Sequence, residues 1–165
     1  MKFGPIGVLD ALKMAIQSEI DLDHFFSDTS KVATDDDVRL MFRKYSREAK
    51  KNRIDLQEKY RTISGKRLLY LNLNKKRKLE MSMEYGSSRQ ELISAAKQNV
   101  KACYTFYSDF SHRLLELDFR AIFNALAETK EKQLENLETK FPQTELDGIS
   151  EDVTQKSRST VSEAA

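Results

Sequence analysis

A chain of 165 residues with 33% charged side chains, 5 glycines, 2 prolines and no tryptophan has the length of one domain. Its composition is helical and water-exposed, which argues against a β-sandwich or barrel. A formal net charge of +2 gives no global pull toward nucleic acid or a membrane surface, and the single cysteine excludes both an internal disulfide and a Cys-x-x-Cys metal site.

The opening Met1-Lys2-Phe3-Gly4-Pro5 has no apolar signal-peptide core, and no apolar run reaches membrane-spanning length, so a reducing cytoplasm is expected. A first helix is expected from Val8 to Thr29. Val8, Leu12, Ala15, Ile16, Glu19, Asp23 and Phe26 share one stripe at helical spacing, apolar except for the two acids. Thr34-Asp35-Asp36-Asp37 reads as a capping box with the Thr hydroxyl as cap, opening a second helix. That helix turns Val38, Met41, Phe42, Tyr45, Ala49, Asn52, Leu56 and Tyr60 inward and stops at Ser64-Gly65.

Residues 65–87 are too long for a turn between antiparallel neighbours and fit a crossover along a bundle. Their apolar stretch 68–73 suits a dimer face or a cover for the bundle. The run Lys75-Lys76-Arg77-Lys78 reads as solvated surface first and as an anionic-partner site second. Ser88-Arg89-Gln90-Glu91 is a further capping box, opening a third helix with Leu92, Ala95, Ala96, Asn99, Val100, Cys103, Phe106 and Tyr107 inward. A fourth helix is expected to start near Asp118, carrying Phe119, Ile122, Phe123, Leu126, Leu134 and Leu137, and closed by Pro142. Residues 143–165 are polar, with few apolar side chains to offset ordering entropy, and are expected to be a disordered tail.

The two halves repeat each other. Residues 15–60 recur at 96–141 without a gap: Phe25-Phe26-Ser27-Asp28 matches Phe106-Tyr107-Ser108-Asp109, Asp37-Val38-Arg39 matches Asp118-Phe119-Arg120, and Phe42 matches Phe123. Chance similarity of amphipathic helices is the bland alternative. It does not account for Ser-Asp and Asp-x-Arg matching near helix ends. The expected fold is therefore all-α, a four-helix bundle over 1–142 made of two duplicated hairpins, about 8–64 and 88–141. Cys103 matches Leu22 and reads as a small apolar core residue rather than a reactive thiol.

The Ala15-Ile16-Gln17-Ser18-Glu19 opening, with Phe42 and Phe123 each 23 residues after the first-helix Glu position of its copy, resembles the ferritin-like superfamily and most closely its rubrerythrin-type branch. The resemblance spans about residues 8–141. It implies a di-iron bundle, with an inward Glu on the first helix of each hairpin and Glu-x-x-His on the second. The six implied ligand positions fall on Glu19, Ala49, Asn52, Val100, Lys130 and Gln133. Only Glu19 is a good ligand. Ala49 and Val100 cannot coordinate, the amides of Asn52 and Gln133 are weak ligands for iron or zinc, and Lys130 brings a positive charge. Glu48 and Glu128 lie off the ligand positions of their helices, and His24 and His112 are off-face.

The resemblance also implies that the first helix faces the fourth across the site, which sets Glu19 near Lys130. The expectation is a polar cluster of Glu19, Asn52, Lys130 and Gln133 in place of the metal, the ammonium serving as counter-ion. The bland alternative has Lys130 snorkelling outward and Glu19 meeting only water. Three functions compete. One is a non-catalytic structural or binding protein with no cofactor. Another is an iron-dependent or other metal-binding oxidoreductase with an altered mononuclear site, for which Glu19, Asp23, Asn52 and Gln133 are the candidates. The third is a helical adaptor with an unidentified protein partner, acting through the basic run or the tail. A homodimer is expected, and nucleic-acid binding is not, because the basic residues lack interleaved aromatics.

Overall fold

A computed structural model describes residues 7–68, 71, 79–81, 84–86 and 88–142. Among the described residues there are four α-helices and no strand: α1 Val8–Val32, α2 Asp36–Ser64, α3 Arg89–Arg113 and α4 Leu117–Lys140. Helix α1 packs along α2 and α3 along α4, each pair joined by a short turn at residues 33–35 or 114–116. The result is a four-helix bundle of two antiparallel hairpins. No helix among the described residues is long and apolar enough to cross a membrane.

The repeat is visible in the helix limits. Moving both ends of α1 by the 81 positions that separate Ala15 from Ala96 gives both ends of α3, and the same shift takes the first residue of α2 to that of α4. The aromatic packing repeats with them. Rings Phe25 and Phe26 lie 5.2 Å apart, and their equivalents Phe106 and Tyr107 lie 5.1 Å apart. Phe42 meets both rings of the first pair, and Phe123 meets both of the second. Offset and edge-on contacts of this kind add to the area each ring buries.

The apolar stripes drive this packing. Leu12, Ala15, Ile16, Phe26, Phe42, Ala49, Leu56, Ala96, Val100, Cys103, Phe123 and Leu137 are all buried. The helix starts depart from expectation in one place. Asp35, not Thr34, caps α2: its Oδ1 accepts from the amides of Asp37 at 2.9 Å and Val38 at 3.2 Å, while Thr34 is exposed. A carboxylate one position closer to the helix reaches those amides and also meets the positive helix end. At α3 the expected capping box is present, with Ser88 and Glu91 each bonding the other's backbone amide. Helix α1 runs past Thr29 to Val32, and the hydroxyls of Thr29 and Ser30 bond back to the carbonyls of Phe25 and Ser27 without breaking the helix.

Gly65 ends α2 at φ 69°, the left-handed conformation that closes helices. Helix α3 then begins at the opposite end of the bundle. Arg89 Nε lies 2.9 Å from Asp35 Oδ2, beside the start of α2, and Lys140 Nζ at the end of α4 is 3.8 Å from Asp37 Oδ1. Helices α2 and α3 are therefore parallel, and the end of α2 and the start of α3 are separated by the length of α2, about 43 Å at 1.5 Å per residue. Leu68, Leu71, Leu79, Met81 and Tyr85 of this chain pack against the core. The described part of the 68–73 stretch thus covers the bundle. The basic run 75–78 and the tail 143–165 lie outside the described residues.

Candidate functional site

Glu19 is the centre of a buried polar cluster to which each helix contributes one side chain. It projects from α1 into the core with 0% exposure. Lys130 of α4, also at 0%, brings Nζ to 3.0 Å from Glu19 Oε2. Asn52 of α2 donates its amide to the same oxygen at 3.3 Å. Tyr107 of α3 donates its hydroxyl to the other oxygen, Oε1, at 2.6 Å. The carboxylate thus receives one donor from each of the other three helices. A carboxylate removed from water needs this, and its pairing with an ammonium leaves the cluster electrically neutral.

The expected cluster and the observed one differ at two residues. Gln133 is buried but does not bond Glu19. Its amide nitrogen donates to Glu48 Oε2 at 2.6 Å, and its carbonyl oxygen has no hydrogen-bond partner among the described residues. The repeat gives the reason. Asn52 of α2 reaches Glu19 of α1; the equivalent reach from Gln133 of α4 is toward Val100 of α3, which accepts nothing. Glu48, off its helix's ligand position, is the acceptor within range instead. Tyr107 is the member not foreseen. It is the repeat equivalent of Phe26, so its hydroxyl is the one polar atom that distinguishes it from a packing ring. It lies one helical turn beyond Cys103 on the face that carries Val100, which was a legible pointer.

Asp23 belongs to a different group. It accepts from Ser46 Oγ at 2.6 Å and has Lys50 Nζ at 3.8 Å. The candidates for a single hard ion are therefore divided. Glu19 and Asn52 are bonded to each other, Asp23 is held by Ser46, and Gln133 is held by Glu48. Ala49 and Val100 are buried apolar residues, and His24 and His112 are exposed. Among the described residues no group of three or more His, Cys, Asp and Glu is arranged to hold a metal ion. The donor set at Glu19 does not fit a di-iron centre. It offers one carboxylate, already engaged by three donors, with a positive charge 3.0 Å from it.

Burial at the cluster holds the phenol of Tyr107 and the nearby thiol of Cys103 in their neutral forms. Burial pushes the Tyr107 hydroxyl well above its usual range, and the neighbouring Glu19 carboxylate adds to this. Burial likewise pushes the Cys103 thiol far up, an effect the Lys130 ammonium only partly offsets. A thiol so placed is not a nucleophile. Tyr45, whose hydroxyl donates to the Gln133 backbone carbonyl at 3.3 Å, is raised to about 12, chiefly by burial. Asn52 is the cluster member that reaches toward solvent. It is half-buried and lines a groove of about 250 Å³ between α2 and α4, with Leu56, Ile122, Leu126 and Thr129.

The arrangement can fix four helices in register through one neutral polar knot. Within it the Glu19 carboxylate is engaged by Lys130, Asn52 and Tyr107. Neither a scan against protein-family models nor a search of curated proteins gives a match to this chain.

Proposed function

We propose that the protein is a ferritin-like bundle of the rubrerythrin type that carries an ion pair where that family holds its di-iron centre. In this reading its role is structural or binding rather than catalytic. The observation that carries it is the Lys130 Nζ to Glu19 Oε2 contact of 3.0 Å at 0% exposure, on the positions the resemblance assigns to two metal-binding carboxylates. The single crossover that returns along the bundle between parallel α2 and α3 is the wiring expected of that superfamily. We further propose a cytoplasmic homodimer with no resident cofactor.

The reading is tested by offering Fe(II) anaerobically to protein purified without chelator and measuring metal content, with oxidase and peroxidase assays alongside. It expects metal near zero and no turnover. Two irons per chain with turnover would overturn it, and one tightly held metal with turnover would favour an altered, mononuclear oxidoreductase site. Light scattering on the eluting protein tests the dimer: a monomer mass removes that part of the proposal.

A further inference from the structure

The outward face of α2 carries a one-sided charge along part of its length. Between residues 43 and 51 the helix carries Arg43, Lys44, Arg47, Lys50 and Lys51 against one acid, Glu48. Lys44 and Lys50 have acidic neighbours at 3.8 Å, and Glu48 is held by Gln133. Arg43, Arg47 and Lys51 are exposed and have no ion-pair partner among the described residues. Leu40 and Ile54 flank them at 62% and 58% exposure. Leu40, Arg43, Arg47, Lys51 and Ile54 recur every three or four residues, so they form one stripe on the side opposite the buried Phe42, Tyr45, Ala49 and Leu56. A solvated helix face usually mixes both charge signs. This one is basic in the middle and apolar at both ends.

The chain itself contains the complement. Residues 145–153 read Glu-Leu-Asp-Gly-Ile-Ser-Glu-Asp-Val: four acids, no base, and three apolar side chains interleaved. This segment starts three residues after Pro142. Helix α4 ends beside the start of α2, where Lys140 Nζ is 3.8 Å from Asp37 Oδ1, and Leu40 is one turn further along α2. Three residues of chain span up to about 10 Å, and the stripe from Leu40 to Ile54 is about 21 Å long, which nine further residues can cover.

We propose that the basic face of α2 is the docking site of this chain's own segment 145–153. Glu145, Asp147, Glu151 and Asp152 meet Arg43, Arg47 and Lys51, and Leu146, Ile149 and Val153 cover Leu40 and Ile54. The contact is chiefly electrostatic and exposed, so salt weakens it.

The test is amide hydrogen exchange of the full chain, followed by mass spectrometry, at about 20 mM and about 500 mM salt. At low salt, amides in 145–153 are expected to exchange about tenfold slower than in the free peptide, and at high salt at the free-peptide rate. The triple variant Arg43→Glu, Arg47→Glu, Lys51→Glu should lose the protection at both salts. Adding Glu145→Lys, Glu151→Lys and Asp152→Lys to it should restore protection. Free-peptide exchange in the wild type at low salt overturns the proposal without recourse to any variant. So does protection that survives the triple reversal, or protection that appears only as protein concentration rises, which would place the tail on a second copy.

Discussion

Asn52 and Gln133 stand at equivalent positions in the two hairpins, yet Asn52 donates to a fully buried carboxylate on its own hairpin and Gln133 to a half-exposed one on the other. The repeat has kept the amides and changed their partners. Gln133 also keeps a buried carbonyl with no hydrogen bond among the described residues, a state that costs about 1–3 kcal/mol. The two positions should therefore answer substitution differently. Gln133→Met removes the unsatisfied oxygen and returns Glu48 to water, so unfolding free energy should stay within about 1 kcal/mol of wild type or rise. Asn52→Leu takes a donor from a buried charge and should cost about 1–3 kcal/mol. Urea unfolding of the two variants checks this; equal losses would contradict it.

The tyrosines make stability sensitive to alkali. Tyr45 in the folded protein titrates at about 12 and Tyr107 well above its usual range, both chiefly because they are buried, whereas in the unfolded chain each titrates near 10. As pH rises past about 10 the unfolded state loses these protons first, and folding is then penalised. Stability from these two groups is thus complete below about pH 10 and falls through the window toward 12, by roughly 2–3 kcal/mol for Tyr45 alone. Urea midpoints measured from about pH 8 to 11 should drop, and the drop should flatten in the Tyr45→Phe, Tyr107→Phe double variant. An unchanged slope in that variant would mean other groups carry it.

Lys130→Glu sets a second carboxylate beside Glu19. Two buried acids without a counter-ion repel, so the melting temperature should fall, and a divalent cation becomes the missing counter-ion. Zn(II), Mn(II) or anaerobic Fe(II) should then raise the variant's melting temperature while leaving the wild type unmoved. Ligand at about a hundred times its dissociation constant contributes about 2.7 kcal/mol. A wild type that gains as much as the variant would contradict the ion-pair account.

Asp35 has two roles at one end of the bundle, capping α2 and meeting Arg89 of α3 at 2.9 Å. Asp35→Ala should cost about 1–2 kcal/mol. Thr34→Ala, next to it but exposed and uninvolved in the cap, should stay within about 0.5 kcal/mol. Thermal melts of the pair distinguish the cap from its neighbour.

The fold was legible because its signals are local or periodic. The stripe from Leu12 to Phe26, the Ser88 and Glu91 capping box and the Gly65 stop each lie within a few turns of chain, and the repeat ties the second hairpin to the first. The cap of α2 was misplaced by one residue because Thr34 and Asp35 both satisfy the sequence pattern; which one caps depends on backbone angles that the pattern does not contain. At the site, the meeting of Glu19, Asn52 and Lys130 was expected only from the resemblance, which sets the three on ligand positions of different helices facing one core. The partner of Gln133 could not be foreseen, because it depends on what stands opposite, Val100 on one side and Glu48 on the other. Tyr107 hid as a core aromatic, since a hydroxyl at the edge of a ring does not disturb the apolar stripe.

The most direct test of the ion-pair account is a double-mutant cycle on Glu19 and Lys130. Lys130→Met strands a buried carboxylate and Glu19→Gln strands a buried ammonium, each expected to cost about 3–5 kcal/mol in urea unfolding. The double variant buries neither charge and should lose far less than the sum, with a coupling energy of at least about 2 kcal/mol. Losses that add to within about 0.5 kcal/mol would show that the two residues do not depend on each other, and would contradict the claim that Lys130 is the counter-ion of Glu19.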